Sequence, residues 1–330
     1  WLKESKKEWS VFFNDKNKPL VRAVWIKGKD ISEILLIVAH CICDGSGGMT
    51  LMRELLCLLD DPDIELEPYK MFSSVDEFLP PDFNATKQRS KAMIFILLAS
   101  FLFFIKRQRR KSNKGENYVI HQKLDVKMTE AIIQGCKEAK ITVHARLCAA
   151  FIQAFRLVRG SSAKGKIISP VDIRNFIPEI KEDHLFAFAP TVELSLKKNS
   201  FDLLGNAKQI KDELSRKMQK INAREMLWMA EQMHPLAKRV ISMLKTSPGG
   251  HDITLSNMGK ISIPNQFKNF DIETVFSPTV AFPWLNSSTL VTSTFNGQMD
   301  FCFMSSEHFL SQKEAEKIKD KAMELLKETL

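Results

Sequence analysis

A histidine and an aspartate four residues apart are the side chains of this sequence best suited to chemistry. They lie in AHCICDGSGG, residues 39–48, where His40 follows the apolar run ILLIVA and Asp44 directly precedes Gly45. Imidazole is the side chain best matched to proton transfer at neutral pH. Set in a cleft, His40 could take a proton from a hydroxyl or an amine and return it to a leaving group. The pattern therefore predicts a general base at a strand end.

Asp44 has two roles open to it at this stage. It could orient the imidazole of His40, or it could form an ion pair that holds the turn. A buried carboxylate needs a partner. The best candidate elsewhere is Arg174 in SPVDIRNFIPE, which follows a predicted strand and is bracketed by Pro170 and Pro178.

The glycines after Asp44 predict a tight turn, because Gly45, Gly47 and Gly48 can adopt backbone angles closed to other residues. The alternative is that His40 is an ordinary core histidine. An H-x-x-x-D-G pattern arises by chance in about one sequence in a hundred of this composition, so the motif has some weight and does not decide the matter alone. Competing motifs are absent from the sequence: it has no G-x-S-x-G elbow and no phosphate-binding glycine loop.

Length and composition bound the class of protein. The 330 residues suffice for one large core or two domains, and the net charge of +9 favours anionic partners such as a phosphorylated ligand, an acidic carrier protein or an anionic membrane. Motifs of nucleic-acid recognition are missing from the sequence, so no nucleic-acid partner is expected. Six irregularly spaced cysteines indicate reduced thiols in a cytoplasmic protein and no metal site.

Hydrophobic periodicity predicts strands and helices that mix without a strict βαβ rhythm, which indicates an α+β fold. The predicted strands cover residues 20–27, 34–39, 166–172, 191–196 and 251–259, with a hairpin around Asn296 and Gly297. The run 34–39 is expected to be covered on both faces. The predicted helices cover the stretch after the glycines, 128–139, 143–158 capped by Thr142, 200–222, 223–244 and 312–326 capped by Ser311.

Residues 92–105 form the most apolar segment of the chain and carry no charge. A spanning helix needs about 20 residues, so this segment is not expected to cross a membrane. Lysines and arginines flank it on both sides. Two interpretations stay open: a buried or bridging helix with solvated ends, and an anchor on an anionic membrane surface.

The stretch AHCICDGSGGMTLMREL resembles the H-x-x-x-D-G segment of CoA-dependent acyltransferases. This superfamily includes condensation domains of peptide synthetases, BAHD-type acyltransferases, phthiocerol diacyltransferase-like proteins and alcohol acetyltransferases. SPVDIRNFIP resembles the segment that carries their structural arginine, and ITLSNMGKISIP is similar to the SN-x-G strand of the alcohol acetyltransferase branch. The sequence departs from condensation domains at Ala39, where they usually carry a first histidine. It also lacks the D-F-G-W-G segment of plant BAHD enzymes.

The resemblance implies a fold of two chloramphenicol-acetyltransferase-like subdomains, mixed sheets flanked by helices, around a central tunnel. Residues 1–111 would form the first subdomain, with the motif and the helix 92–105. Residues 112–116 would be a linker, and 117–330 the second subdomain. Members of the superfamily usually have more chain before the motif, so a truncated N-terminus is expected.

The resemblance also implies acyl transfer from a thioester to a hydroxyl or amine acceptor, with His40 as the general base. Asp44 would pair with Arg174, and a backbone N–H near Gly45 or the Asn257 side chain would serve the oxyanion. Acyl-CoA or an acyl carrier protein would be a co-substrate, with no cofactor bound permanently and no metal.

Two rival functions stay open beside this expectation. One is a non-catalytic lipid-binding or membrane-surface protein of the same fold, and the other is a carrier-dependent condensation module. The protein is expected to be a monomer. Its expected location is the cytoplasm, with a peripheral membrane location as the alternative.

Overall fold

The computed structural model of the protein describes residues 1–14, 17–68, 71–84, 86, 88–90, 92–94, 96, 116–196 and 202–329. Only Ala92, Met93, Ile94 and Ile96 of the apolar segment 92–105 fall among them, and the remainder lies outside the described residues. The linker expected at 112–116 lies outside them too, except for Glu116. The division into two subdomains therefore stays a prediction.

The protein has the α+β fold expected from the sequence. The helices that build the core and the site are α1 (Leu2–Glu8), α2 (Gly45–Asp60), α3 (Val126–Glu138), α4 (Val143–Arg159), α5 (Leu203–Met218), α6 (Ala223–Gln232), α7 (Ala237–Leu244) and α8 (Gln312–Glu328). The strands are β1 (Val21–Ile26), β2 (Glu33–Val38), β3 (Asn117–Lys123), β4 (Lys166–Pro170), β5 (Thr191–Ser195), β6 (Ile253–Lys260), β7 (Thr289–Phe295) and β8 (Gln298–Ser306).

The strands β1 and β2 form a two-stranded antiparallel sheet, in which Val21 pairs with Val38. The expectation that this second strand is covered on both faces is wrong, because all six of its residues are only half-buried. Among the described strands β2 pairs with β1 alone. Ile34 of β2 packs in a hydrophobic cluster with Leu56 of α2, so the helix covers the strand from one side.

The other six strands form one mixed sheet in the order β3-β8-β7-β6-β4-β5. The pairs β7–β6 and β6–β4 are parallel, and the remaining pairs are antiparallel. The predicted hairpin joins β7 to β8 at Asn296 and Gly297, whose φ angles of 46° and 74° suit the tight turn that an Asn-Gly pair favours. The parallel strands β6 and β7 are joined by a long connection, residues 261–288, which reaches the candidate site.

The hydrophobic core lies between this sheet and the helices packed on it, with α4 at its centre. Every residue of α4 from Ala145 to Phe155 is buried. Phe151 and Phe155 both lie against Phe303 of β8, at ring-centroid distances of 6.3 and 6.4 Å. Burial of a phenylalanine side chain contributes about 1.5–3 kcal/mol. This packing explains why most residues of α4 are apolar.

A fully buried arginine in α4 joins the core to the end of the last helix. The Arg146 guanidinium donates hydrogen bonds to the carbonyl oxygens of Leu326 (3.1 Å), Thr329 (3.1 Å) and Ile132 (3.2 Å). Carbonyls at the end of a helix lack intrahelical donors, so this cation satisfies acceptors that would otherwise be buried without partners. The apolar periodicity of α4 gave no indication of this role.

The single long helix predicted over 223–244 is wrong in one respect. A 3₁₀ turn at His234–Leu236 separates α6 from α7. Pro235 lies in that turn, and proline removes a helical hydrogen bond and clashes with the preceding turn. The caps predicted at Thr142 and Ser311 are confirmed, since their side chains accept from the backbone N–H of Ala145 and Glu314.

The imidazole of His144 links α4 to β4, and its burial predicts that the protein loses stability in acid. Its Nε2 lies 2.8 Å from Ser169 Oγ, and burial lowers its pKa to about 4 from the usual 6.5. Between these values the unfolded chain binds a proton that the folded protein does not bind. The stability that depends on neutral His144 is therefore complete above about pH 6.5 and falls as the pH drops to about 4, a loss of about 3 kcal/mol.

Urea unfolding at about pH 7 and about pH 4.5 measures this effect. We expect His144→Gln, which keeps a polar atom near Ser169, to lose less stability between the two pH values than the wild type. An equal loss in both proteins would show that other groups set the acid sensitivity.

Candidate active site

His40 lies two residues beyond the end of β2 and is exposed to solvent. Its Nδ1 atom is 2.9 Å from the backbone carbonyl oxygen of Cys43. A carbonyl can only accept a hydrogen bond, so Nδ1 carries the proton in the neutral ring and Nε2 carries the lone pair. The exposed ring nitrogen is therefore available to accept a proton from a bound molecule.

A ladder of aromatic rings continues from the face of this imidazole. The Phe282 ring stacks on the His40 ring, with centroids 5.7 Å apart and planes inclined by 25°. The Trp284 ring stacks in turn on Phe282, at 5.6 Å and 12°. Both aromatic residues belong to the connection 261–288 and are half-buried. Neither residue was predicted from the sequence to belong to the site. The signal available was an aromatic pair around Pro283, and nothing local placed it beside His40.

Asp44 is the N-cap of α2, and its carboxylate faces the helix and Arg174. Its Oδ1 accepts from the backbone N–H of Gly47 at 2.9 Å, and its own N–H donates to the carbonyl of Phe186 at 2.9 Å. The imidazole of His40 instead donates its hydrogen bond to the Cys43 carbonyl, so of the two roles open to Asp44 the geometry favours the ion pair.

Arg174 holds Asp44 through both terminal nitrogens. Nη1 lies 2.5 Å from Asp44 Oδ2, Nη2 lies 3.4 Å from Oδ1, and the two side chains are 10% and 15% exposed. The carbonyls of Lys181 and His184 accept from Nε and Nη2, each at 2.9 Å. The guanidinium therefore joins the loop that carries His40 to residues 172–186.

The charge of Arg174 is stabilised where it stands. Burial acts to lower the pKa of its guanidinium, but the hydrogen bonds and charges of Asp44 and Asp172 outweigh burial and raise that pKa above its ordinary value. Burial, together with this positive charge, also lowers the pKa of the neighbouring His184. His184 accepts from the Lys181 N–H through Nδ1. The neutral His184 ring therefore supports the segment 172–186 that carries Arg174.

The predicted tight turn at the three glycines is wrong. Gly45, Gly47 and Gly48 form the first turn of α2, and none of them has a positive φ angle. Close packing is the reason for glycine at position 47. A Cβ atom on Gly47 would lie 3.0 Å from Cys43 Cβ and 3.3 Å from Leu185 Cδ2, whereas one on Gly48 would meet nothing within 4 Å.

This difference predicts opposite effects for two neighbouring substitutions. Alanine is favoured over glycine within a helix by about 1 kcal/mol. Gly48→Ala should therefore raise the melting temperature, whereas Gly47→Ala should lower it because the loop from Cys43 to Asp44 must shift. Thermal unfolding of the two variants checks this. Equal stabilisation by both would show that the loop accommodates a Cβ without strain.

The two candidate oxyanion donors lie on segments that pack together. Met258 of β6 lies over Gly45, whose Cβ position is 3.1 Å from Met258 Cε. The adjacent Asn257 accepts from the Gly259 N–H through Oδ1 at 2.9 Å, which directs its side-chain NH₂ group as the remaining donor. The Gly45 N–H is at the start of α2, where backbone donors have no intrahelical acceptor. The oxyanion roles of both groups stay predictions.

The fold is that of several solved enzymes and enzyme domains. One is trichothecene 15-O-acetyltransferase from Fusarium sporotrichioides, with a TM-score of 0.64 and 15% identity over 98% of this chain and 73% of that one. Another is the wax ester synthase/diacylglycerol acyltransferase from Marinobacter aquaeolei VT8, with a TM-score of 0.56 and 15% identity over 99% and 76% of the two chains. A third is the epimerization domain of the third module of tyrocidine synthetase B, with a TM-score of 0.56 and 16% identity over 99% of this chain and 75% of that one.

These likenesses place the protein in the fold class of CoA-dependent acyltransferases and condensation domains, as the sequence motifs implied. The chain belongs to the family "Phthiocerol/phthiodiolone dimycocerosyl transferase C-terminus", whose model matches residues 115–301. This range contains Arg174 and Asn257, whereas His40 and Asp44 lie before its first residue. No curated protein matches the chain by sequence.

Among the described residues no single helix has the length and hydrophobicity needed to span a bilayer. The helices α3 and α4 meet those criteria only when taken together, and the pair is bent by 103° at its junction.

Proposed function

We propose that this protein transfers an acyl group from a thioester to a hydroxyl or amine acceptor, with His40 as the general base. Membership of an acyltransferase family supports acyl transfer in general. The observation that carries the assignment to His40 is its hydrogen bond to the Cys43 carbonyl, which fixes the proton on Nδ1 and leaves the lone pair of Nε2 exposed.

The reaction would proceed in two proton transfers. Nε2 of His40 takes the proton of the acceptor hydroxyl or amine as the acceptor oxygen or nitrogen attacks the thioester carbon. The resulting tetrahedral oxyanion is stabilised by hydrogen-bond donors, for which the Gly45 N–H and the Asn257 amide are the candidates. Collapse of the intermediate breaks the C–S bond, and the imidazolium returns its proton to the departing thiolate.

Asp44 and Arg174 have a structural role in this scheme. Asp44 caps α2 and pairs with Arg174, so the pair fixes the loop 39–44 without exchanging protons. The acyl donor is a co-substrate, either CoA or a carrier protein, and no permanently bound cofactor is required. The phosphopantetheine arm of either donor carries phosphate, which suits a chain of net charge +9.

The test of this function is a screen of acyl donors and acceptors. The protein is incubated with a panel of acyl-CoA thioesters and acyl-loaded carrier protein, together with alcohols and amines, and products are identified by mass spectrometry. An ester or amide that forms with the protein and is lost with His40→Ala supports the proposal. If no donor and acceptor pair gives product, the non-catalytic interpretation replaces it. Product from a loaded carrier protein but not from CoA would favour a condensation module.

A second proposal is that the protein binds anionic membrane surfaces. Met93 and Ile94 are each 59% exposed, and five cations follow the apolar segment 92–105, at Lys106, Arg107, Arg109, Arg110 and Lys111. A basic flank gains about 1 kcal/mol per residue near an anionic bilayer. Co-sedimentation with anionic liposomes should be weakened by salt and by Met93→Gln with Ile94→Gln. Wild-type protein that stays in the supernatant at low salt would contradict this location.

A further inference from the structure

We propose that Phe282 is a positioning residue that fixes the orientation of the His40 ring, an inference that rests on the proposed role of His40. The His40 side chain is exposed, and its one hydrogen bond to the part of the chain that the structure describes joins Nδ1 to the Cys43 carbonyl. A single hydrogen bond fixes one ring atom and still allows the ring to tilt about it. The face of Phe282, 5.7 Å away and inclined by 25°, supplies the second constraint and so defines the direction of Nε2.

Phe282 is itself held from behind by Trp284. The two rings are nearly parallel, at 5.6 Å and 12°, and Pro283 between them restricts the backbone of the connection. Stacked aromatic pairs contribute about 0.5–1.5 kcal/mol beyond the area that they bury. The histidine therefore rests on a two-ring support rather than on one mobile side chain.

The connection that carries this support is fixed on both sides of it. On one side, the Ser277 N–H donates to Oδ1 of the buried Asp300 at 2.7 Å. On the other, the Leu285 N–H donates to the carbonyl of Leu244 at 2.9 Å, and the Asn286 side chain donates to the carbonyl of His251 at 2.9 Å. These bonds join the connection to β8, to α7 and to His251, two residues before β6. The support is thus anchored to the core.

Stacking on a phenyl face also favours the form of His40 that appears during reaction. When the imidazole accepts a proton it becomes a cation, and an aromatic face within about 6 Å attracts a cation through its quadrupole. The attraction is larger for the imidazolium than for the neutral ring. It therefore acts mainly in the transition state, where it raises kcat, and little on substrate binding.

The experiment compares Phe282→Leu with Phe282→Tyr and with Phe276→Leu. Phe276 is a matched control, because it is a half-buried phenylalanine of the same connection that stacks on Trp1 instead. We expect Phe282→Leu to lower kcat about 10-fold while KM changes less than about twofold, since a misplacement of about 1 Å can cost about 100-fold. Phe282→Tyr keeps an aromatic face, so its kcat should stay near that of the wild type. Phe276→Leu should also leave kcat unchanged.

A second measurement reads the ring directly and does not need activity. In protein labelled at histidine, the NMR signals of the His40 ring are assigned by their loss in His40→Gln. The ring current of Phe282 should shift them, and this shift should disappear in Phe282→Leu, persist in Phe282→Tyr and be unaffected in Phe276→Leu.

The outcomes separate this inference from the proposed function. Wild-type kcat in Phe282→Leu, or an unshifted His40 signal in the wild type, would overturn the positioning role while acyl transfer by His40 stands. A wild type that transfers no acyl group would overturn the proposed function and this role with it, even if the ring-current shift were present.

Discussion

His40→Ala is expected to remove most acyl transfer while the protein stays folded. General-base catalysis contributes about 100- to 10,000-fold to rate, so kcat should fall within that range. Folding should change little, because the side chain is exposed and makes a single hydrogen bond with the described residues. Initial rates with the donor and acceptor found in the screen measure the loss, and thermal unfolding measures the stability.

His308→Ala is the matched control for this prediction. His308 is also exposed and lies in the turn after β8, and it is not one of the candidate site residues. Its replacement should leave the rate unchanged. Full turnover by His40→Ala would exclude His40 as the base and would require another proton acceptor.

Arg174→Ala and Asp44→Ala are each expected to lower the free energy of unfolding by about 3–5 kcal/mol. Removal of one partner strands the other charge in a site that is only 10–15% exposed. Arg174 also donates to the carbonyls of Lys181 and His184, which would lose their donors. Urea unfolding of the two single variants and the double variant gives the coupling energy, which should be large because each single substitution already breaks the same ion pair.

Two variants separate the ion pair from other contributions. Asp44→Asn keeps a side chain that caps α2 but loses the charge, so it should be less damaging than Asp44→Ala by about 1 kcal/mol. Asp172→Ala removes the other carboxylate near Arg174. The Asp172 side chain is 41% exposed, so its loss should lower the free energy of unfolding by at most about 1 kcal/mol. Equal costs for Asp172→Ala and Asp44→Ala would show that the Asp44 contact is no more important than an ordinary surface pair.

Local signals in the sequence located the elements well. The alternation of β1, the Thr142 cap and the Asn296-Gly297 turn are each set by residues close in the chain, and each was predictable from them. Arg174 was the candidate partner of Asp44 because it follows a predicted strand between two prolines, and the resemblance implied the same pairing. Pro235 was visible in the sequence, but the apolar pattern on either side of it obscured the break between α6 and α7.

The remaining features depend on tertiary contacts that no local pattern encodes. Phe282 reaches His40 only because the connection between two parallel strands folds back over the loop 39–44. The glycines of α2 were interpreted through backbone freedom, whereas the missing side chain at Gly47 leaves room for Cys43 and Leu185. Arg146 belongs to a helix that was predicted from its hydrophobic periodicity, and two of its carbonyl acceptors, those of Leu326 and Thr329, lie about 180 residues further along the chain.

The strand order of the large sheet has a consequence for how the protein folds during synthesis. Among the described strands β3 pairs only with β8, which follows the other seven in the chain, and two of the three carbonyl acceptors of Arg146, those of Leu326 and Thr329, lie in or just after the helix that follows β8. A ribosome therefore releases β3 and α4 long before their partners exist. Non-local pairing of this kind slows folding and leaves edges open to aggregation. The sheet is completed late, and chains that stall before β8 are the ones that most need chaperones.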